Sequence, residues 1–96
     1  MEPELIYEVA LSKNARKDLE KVPVNIVRKL LTWVEAVKHE GLENVRKLKG
    51  YHDEPLSGKR FGQRSIRLSK SYRAIYTIEG EEVIIAIVQE VNKHDY

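Results

Sequence analysis

KRFGQRSIRLSKSYR, residues 59–73, contains six of the seventeen Lys and Arg residues of this 96-residue chain. No Asp or Glu lies between Glu54 and Glu79, although acidic and basic residues are mixed in the rest of the sequence. A run of charge often forms only a solvated face, but a positive face on a rigid sheet is also suited to binding a phosphate backbone. The exclusion of acids favours the second interpretation here.

The same segment alternates between apolar and polar residues. In an extended chain, Ile66 and Leu68 fall on one side, and Ser65, Arg67 and Ser69 fall on the other. This period of two predicts a strand that buries its apolar side in a core and turns its cationic side to water.

The patterns along the rest of the chain predict an α+β fold with the element order β-α-α-β-β-β. Strand signals cover 4–11, 64–69, 72–78 and 83–91, and helix signals cover 14–21 and 24–39. One more short helical turn is expected within 42–49, whereas 50–58, which contains Pro55 and two glycines, predicts a loop. We therefore expect a helical pair packed on a mostly antiparallel four-stranded sheet, with Trp33 in the core and 83–91 central in the sheet.

Composition indicates a globular chain, with 42% hydrophobic and 33% charged residues and a net charge of +2. Its length predicts a single domain, residues 1–96. The absence of cysteine excludes disulfides, thiol nucleophiles and thiolate metal sites. No apolar run reaches membrane-spanning length and the acidic first residues lack a signal-peptide pattern, so we expect a cytoplasmic protein with no membrane partner. No metal or cofactor motif is present, and we expect neither.

Five short motifs along the chain carry a family resemblance. They are Leu48-Lys49-Gly50, Pro55-Leu56-Ser57-Gly58, the run 62–68 (GQRSIRL), the run 72–76 (YRAIY) and the ending 90–96 (EVNKHDY). In combination and in this spacing they resemble the RelE/ParE superfamily of type II toxins. The Gly-Gln-x-Ser-Ile-Arg segment is most similar to the HigB-like branch.

The resemblance implies a RelE-like fold and a toxin that is paired with a cognate antitoxin protein. RelE- and HigB-like members bind the ribosomal decoding site and cut mRNA, whereas ParE-like members inhibit DNA gyrase and cut nothing. His94 and Tyr96 favour a ribosome-dependent mRNA endoribonuclease that inhibits translation, because a non-catalytic binder has no need for that pair. A ParE-like gyrase inhibitor remains an alternative. So does an inactive relative that binds nucleic acid or the antitoxin, because the ending His94-Asp95-Tyr96 departs from the HigB-like order.

Under the ribonuclease hypothesis, the substrate's 2′-OH attacks the adjacent phosphate, which requires a base, an acid and cations. Arg67 and Arg73 are predicted to clamp the scissile phosphate with planar forked donors from neighbouring strands. His94 is the predicted proton-transfer group, since its unperturbed pKa of about 6.5 lies near neutrality. Tyr96 is predicted to stack on a base, orient the 2′-OH or donate a proton.

A second group is predicted to bind the flanking RNA. Its members are Lys59, Arg60, Gln63, Arg64 and Lys70. Asp95 is a candidate for orienting His94, and His52 is a spare acid/base candidate. Arg73 has an alternative role as the ion-pair partner of a carboxylate such as Glu90.

Overall fold

A computed structural model describes residues 6–80 and 85–93. The strands in these ranges are β1 (Val9–Leu11), β2 (Glu54–Pro55), β3 (Arg64–Arg67), β4 (Tyr72–Glu79) and β5 (Ile85–Lys93). The helices are α1 (Lys13–Leu19), α2 (Val24–Glu40) and α3 (Leu42–Arg46). Two short 3₁₀ turns cover Lys49–Tyr51 and Gly58–Arg60.

The described strands form one sheet in the order β1-β5-β4-β3-β2. β1 runs parallel to β5, and the other neighbours are antiparallel. The predicted α+β arrangement of helices on a mostly antiparallel sheet is therefore confirmed, as is the interior position of the last strand. The predicted number of four strands is wrong by one, because the two residues of β2 pair with β3 inside the segment predicted as a loop.

The first strand is shorter than predicted. It begins at Val9, whereas the prediction began at residue 4; residues 1–5 lie outside the described ranges. Ile6 is buried, and its carbonyl accepts a hydrogen bond from the backbone N–H of Leu42 at 2.8 Å. This stretch is thus tied to the start of α3, and Ile6 packs in the core ahead of the strand.

The helices begin and end at residues with clear physical roles. Ser12 caps α1: its hydroxyl accepts from the N–H of Ala15 at 3.0 Å and donates to the carbonyl of Gln89 at 2.9 Å. Gly41 ends α2 with φ of +85°, a conformation that glycine adopts without steric cost. None of the helices in the described ranges is long and apolar enough to cross a membrane.

The core lies between the helices and one face of the sheet. α2 contributes side chains at helical spacing, including Leu30 and Trp33, which are fully buried. From the sheet, Ile66, Ala74 and Tyr76 join the same cluster. The Tyr76 ring packs against Trp33 at a centroid distance of 5.2 Å. Side chains alternate along strands, so Arg67, which follows Ile66, and Arg73, which precedes Ala74, project from the opposite side of the sheet. We call this side the open face.

Candidate functional site

The open face carries a cleft at the end of β3 and β4, next to the turn that joins them. Its volume is about 310 Å³, open solvent included. The residues that line it, called the basic cleft below, are His52, Glu54, Ser65, Arg67, Ser69, Lys70, Tyr72 and Arg73. Three of its eight residues are cationic and one is a histidine, so the cleft is suited to an anionic ligand.

Arg67 and Arg73 lie side by side in the cleft, as the sequence predicted. They are directly paired residues of β3 and β4, and therefore project on the same face. Arg67 is exposed, and the Nε of Arg73 donates to Oδ1 of Asn92 at 3.4 Å. In the described part of the chain no carboxylate pairs with either guanidinium, so an incoming anion meets two uncompensated cations.

The turn between the two strands is fixed by Ser69. Its hydroxyl accepts hydrogen bonds from the N–H groups of Ser71 at 3.1 Å and Tyr72 at 3.2 Å. The carbonyl of Tyr72 in turn accepts from the N–H of Leu68 at 2.9 Å. The turn therefore holds Arg67 and Arg73 at a defined separation, which favours binding of a planar or tetrahedral anion.

His52 and Glu54 form the other wall of the cleft. His52 has a left-handed backbone, with φ of 47°, and its Nε2 lies 3.6 Å from Oε2 of Glu54. Glu54 pairs with Ser65 in the sheet, which places it on the same face as Arg67. The structure therefore moves His52 from a spare candidate into the cleft. It also adds Glu54, which the sequence reasoning missed although it is the last acid before the acid-free segment.

Between these two residues, the carboxylate of Asp53 points into the protein. Its side chain is fully buried, and Oδ1 accepts from Nε of Arg64 at 2.7 Å while Oδ2 accepts from the hydroxyl of Tyr76 at 2.7 Å. Burial, reinforced by the hydrogen bond to Asp53, raises the pKa of Tyr76 well above its ordinary value. Burial alone lowers the pKa of Arg64, but the hydrogen bond and charge of Asp53 outweigh it and the net pKa is raised.

Arg60 and Gln63 lie on a chain of hydrogen bonds across the open face. Arg60 donates to Oε1 of Gln63 and to Oε1 of Glu90, both at 3.0 Å, and Asn92 donates to the same Glu90 oxygen at 2.6 Å. The alternative pairing of Arg73 with Glu90 is wrong, because Arg60 holds that carboxylate. Of the predicted RNA-binding residues, Lys70 lines the cleft, Lys59 is exposed on the 3₁₀ turn, and Arg60 and Arg64 are bound to carboxylates.

The predicted catalytic residues His94 and Tyr96, and Asp95 between them, lie outside the described residues. The last described residue, Lys93, pairs with Tyr72, which lines the cleft. Within 6–80 and 85–93, no three His, Asp or Glu side chains are grouped so as to hold a metal ion.

A family model described as the ParE toxin of the type II toxin–antitoxin system parDE matches residues 9–92. The chain belongs to the ParE toxin family. The predicted membership of the RelE/ParE superfamily is thus confirmed, while the HigB-like branch stays a prediction. No curated protein matches the chain in sequence.

Solved toxin structures share the fold of this ParE-family chain. The YoeB/ParE toxin from Agrobacterium tumefaciens matches with a TM-score of 0.66 and 18% identity, over 92% of this chain and 99% of that one. A chain of the toxin–antitoxin complex RelBE2 from Mycobacterium tuberculosis gives 0.67 and 23%, over 94% and 100%. YafQ from E. coli strain BL21(DE3) gives 0.65 and 16%, over 91% and 92%. At these identities the likeness shows the fold alone.

Proposed function

We propose that this toxin is a ribosome-dependent mRNA endoribonuclease that inhibits translation. The observation that carries the proposal is the basic cleft, where Arg67 and Arg73 face His52 and Glu54 on one side of a sheet. Cleavage through the substrate's own 2′-OH requires cations for the phosphoryl oxygens and groups that accept and donate protons. The cleft supplies the cations and the first proton-transfer group.

The two arginines suit the scissile phosphate. Side chains of directly paired strand residues start about 5 Å apart, so two guanidinium groups can each take a phosphoryl oxygen of the same group. The two guanidinium groups repel each other when no ligand is bound, and a bound phosphate relieves this repulsion. The hydrogen bond from Arg73 to Asn92 limits the positions that its guanidinium can take. Both effects favour the charge that grows on the phosphoryl oxygens during attack.

Glu54 is the proposed base. A carboxylate oxygen accepts the proton of the 2′-OH, whose oxygen then attacks phosphorus. The bond from phosphorus to the 5′-oxygen breaks, leaving a 2′,3′-cyclic phosphate and, after protonation, a 5′-hydroxyl. His52 lies 3.6 Å from Glu54, so both act on the side of the attacking oxygen. In-line displacement needs the acid on the other side, and we assign that role to His94.

The test is induction of the toxin in bacteria, with mRNA 5′ ends, translation and DNA supercoiling followed in the same culture. We expect prompt translation arrest with new ends inside coding regions. Arg73→Ala and Glu54→Gln should each lower cleavage by about 100-fold or more, because each removes a group that acts in the transition state. Arg28→Ala is the matched control, since it removes an exposed arginine from α2.

Full cleavage by folded Arg67→Ala, Arg73→Ala and Glu54→Gln proteins would refute this site. His94→Ala separates the assignment of the acid from the assignment of the cleft: it should abolish cleavage while RNA binding persists.

The family match supports a second candidate, inhibition of DNA gyrase without chemistry, because the model is that of the ParE toxin. In that case the same cultures lose supercoiling and replication first while mRNA stays intact. Glu54→Gln would then keep full toxicity, since a binder has no use for a general base.

We also propose a cognate antitoxin protein and a cytoplasmic location. The RelBE2 structure is a toxin–antitoxin complex, which supports a protein partner for this fold. A segment rich in Asp and Glu would complement Arg67 and Arg73 electrostatically. The assignment is tested by co-expressing a small acidic protein encoded by an adjacent reading frame. It should restore growth and co-purify with the toxin.

A further inference from the structure

Asp53 is a buried charged residue that takes no part in the proposed chemistry, yet it lies between two residues that do. His52 and Glu54 line the basic cleft, whereas the Asp53 side chain is fully buried on the other side of the same short segment. Alternation accounts for the opposite sides of Asp53 and Glu54, and His52 lies in a left-handed turn just before them. Whatever fixes Asp53 therefore also fixes the positions of its two neighbours.

Both oxygens of Asp53 are fixed by adjacent strands. Arg64 on β3 and Tyr76 on β4 are directly paired residues, and each donates one 2.7 Å hydrogen bond to a different oxygen of the carboxylate. Tyr76 is itself fully buried against Trp33, and Nε of Arg46 donates to its hydroxyl at 3.4 Å. The anchor thus connects the wall of the cleft to the rigid core.

Backbone hydrogen bonds hold the segment on either side of Asp53: the N–H of His52 donates to the carbonyl of Lys49 at 3.1 Å, and that of Leu56 to the carbonyl of Gln63 at 2.9 Å. β2 is a two-residue edge strand, and one of its residues, Pro55, has no N–H to donate to the sheet. His52 adopts a left-handed backbone, which is unfavourable for a histidine and persists only where the surroundings enforce it. The two charge-assisted hydrogen bonds of Asp53 act on the adjacent residue and help to enforce it.

We infer that Asp53 is a positioning residue that sets His52 and Glu54 opposite Arg67 and Arg73. The inference rests on the proposed function for its catalytic consequence, but its structural part is independent of that function. Asp53 touches neither substrate nor reacting atoms. It acts through Glu54 and His52, and Arg64 and Tyr76 act through it.

The structural part is tested by NMR on the isolated toxin. Tyr76→Phe removes one hydrogen bond to Asp53, keeps the aromatic ring on Trp33, and lies far from His52 in sequence. We expect it to shift or broaden the His52 imidazole and Glu54 amide signals. Ser12→Ala, which removes the cap of α1, is the control for general destabilisation and should leave both signals in place. Unchanged His52 and Glu54 signals in folded Tyr76→Phe protein would overturn the inference.

The catalytic part is tested by single-turnover cleavage of mRNA on programmed ribosomes. Asp53→Asn should lower the rate by about 10- to 100-fold, the loss expected when a catalytic group is misplaced by about an ångström. In a Glu54→Gln background, Asp53→Asn should cause a clearly smaller loss, because the part of its effect that passes through Glu54 is already absent. An equal loss in both backgrounds would mean a merely structural role. If Asp53→Asn does not fold, Tyr76→Phe takes its place in the cycle. If the wild-type toxin cuts no mRNA, the proposed function fails, and the NMR result still decides the inference.

Discussion

Arg64 and Arg67 are three residues apart on the same strand, yet their surroundings differ completely. Arg64 is only 25% exposed and donates a 2.7 Å hydrogen bond to the buried carboxylate of Asp53. Arg67 is exposed on the open face, where no carboxylate among the described residues pairs with it. The acid-free segment 59–73 therefore contains two kinds of cation. Arg64 represents the first kind, which is paired with a carboxylate inside the folded protein. Arg67 represents the second, which is exposed to a ligand.

The largest effect expected from this difference is on stability. Arg64→Ala leaves the buried Asp53 carboxylate without its charged partner, and breaking such a pair costs about 3 kcal/mol in the free energy of unfolding. Arg67→Ala removes an exposed side chain and should change that free energy by less than about 0.5 kcal/mol. Urea denaturation followed by Trp33 fluorescence measures both.

Under the proposed function, Arg67→Ala should lose more RNA cleavage than Arg64→Ala when both are measured under stabilising conditions, because Arg64 affects cleavage only through the Asp53 anchor. Arg67→Ala should lose cleavage while fully folded. A stable Arg64→Ala protein would contradict the buried anchor, and an unstable Arg67→Ala protein would contradict the open face.

The sequence alone predicts the long helix and the central strands of this molecule, because these elements are long enough to show a period. α2 shows a three- and four-residue apolar spacing, and β4 and β5 follow turn signals and are mainly apolar or β-forming. The pairing of Arg67 with Arg73 also follows from the sequence, since a tight turn between two strands brings its flanking residues opposite each other. These features depend on neighbours close in the chain.

The rest of the site depends on contacts that are distant in the chain. Asp53 meets Arg64 eleven residues later and Tyr76 twenty-three residues later. β2 has two residues, too few to show any period, and contains Pro55, which favours a loop when read locally. Glu54 was missed for the same reason. Its place in the cleft follows only from its pairing with Ser65.

The stability contributed by the Asp53 anchor should depend on pH, because the Tyr76 hydroxyl that donates to Asp53 can lose its proton. The pKa of this hydroxyl is raised in the folded state by burial first and then by Asp53, so the unfolded chain loses this proton at lower pH than the folded protein does. The stabilisation is therefore fully present below about pH 10 and is lost as pH rises through the folded-state pKa. The free energy of unfolding should fall by up to about 1.4 kcal/mol per pH unit from this group above pH 10.

Denaturation curves between pH 8 and pH 11 measure this effect. Tyr76→Phe should start from a lower stability and fall less steeply than the wild type. Tyr7→Phe, at a position that is 41% exposed, should keep the wild-type slope. Equal slopes for wild type and Tyr76→Phe would show that the hydroxyl is not held as described.

Arg60 combines features of both kinds of cation, because it is partly exposed and yet paired with a carboxylate. Changes at this pair should have the smallest effect. Arg60 is 40% exposed and pairs with Glu90, which is 24% exposed, so the pair should contribute less than about 1 kcal/mol to stability. Glu90→Gln keeps an oxygen that accepts a hydrogen bond but removes the charge that neutralises Arg60. The fold should therefore persist, while the open face gains one available cation.

That gain is measured by the salt dependence of binding to a single-stranded RNA. Each phosphate neutralised on a single strand contributes about 0.7 to the slope of log affinity against log salt. Glu90→Gln should steepen the slope by about this amount, and Arg60→Ala should leave it near the wild-type value. A steeper slope for Glu90→Gln alone would show that Glu90 neutralises Arg60 in the native toxin, as Asp53 neutralises Arg64. A shallower slope for Arg60→Ala would mean that Arg60 already contacts RNA and belongs with Arg67.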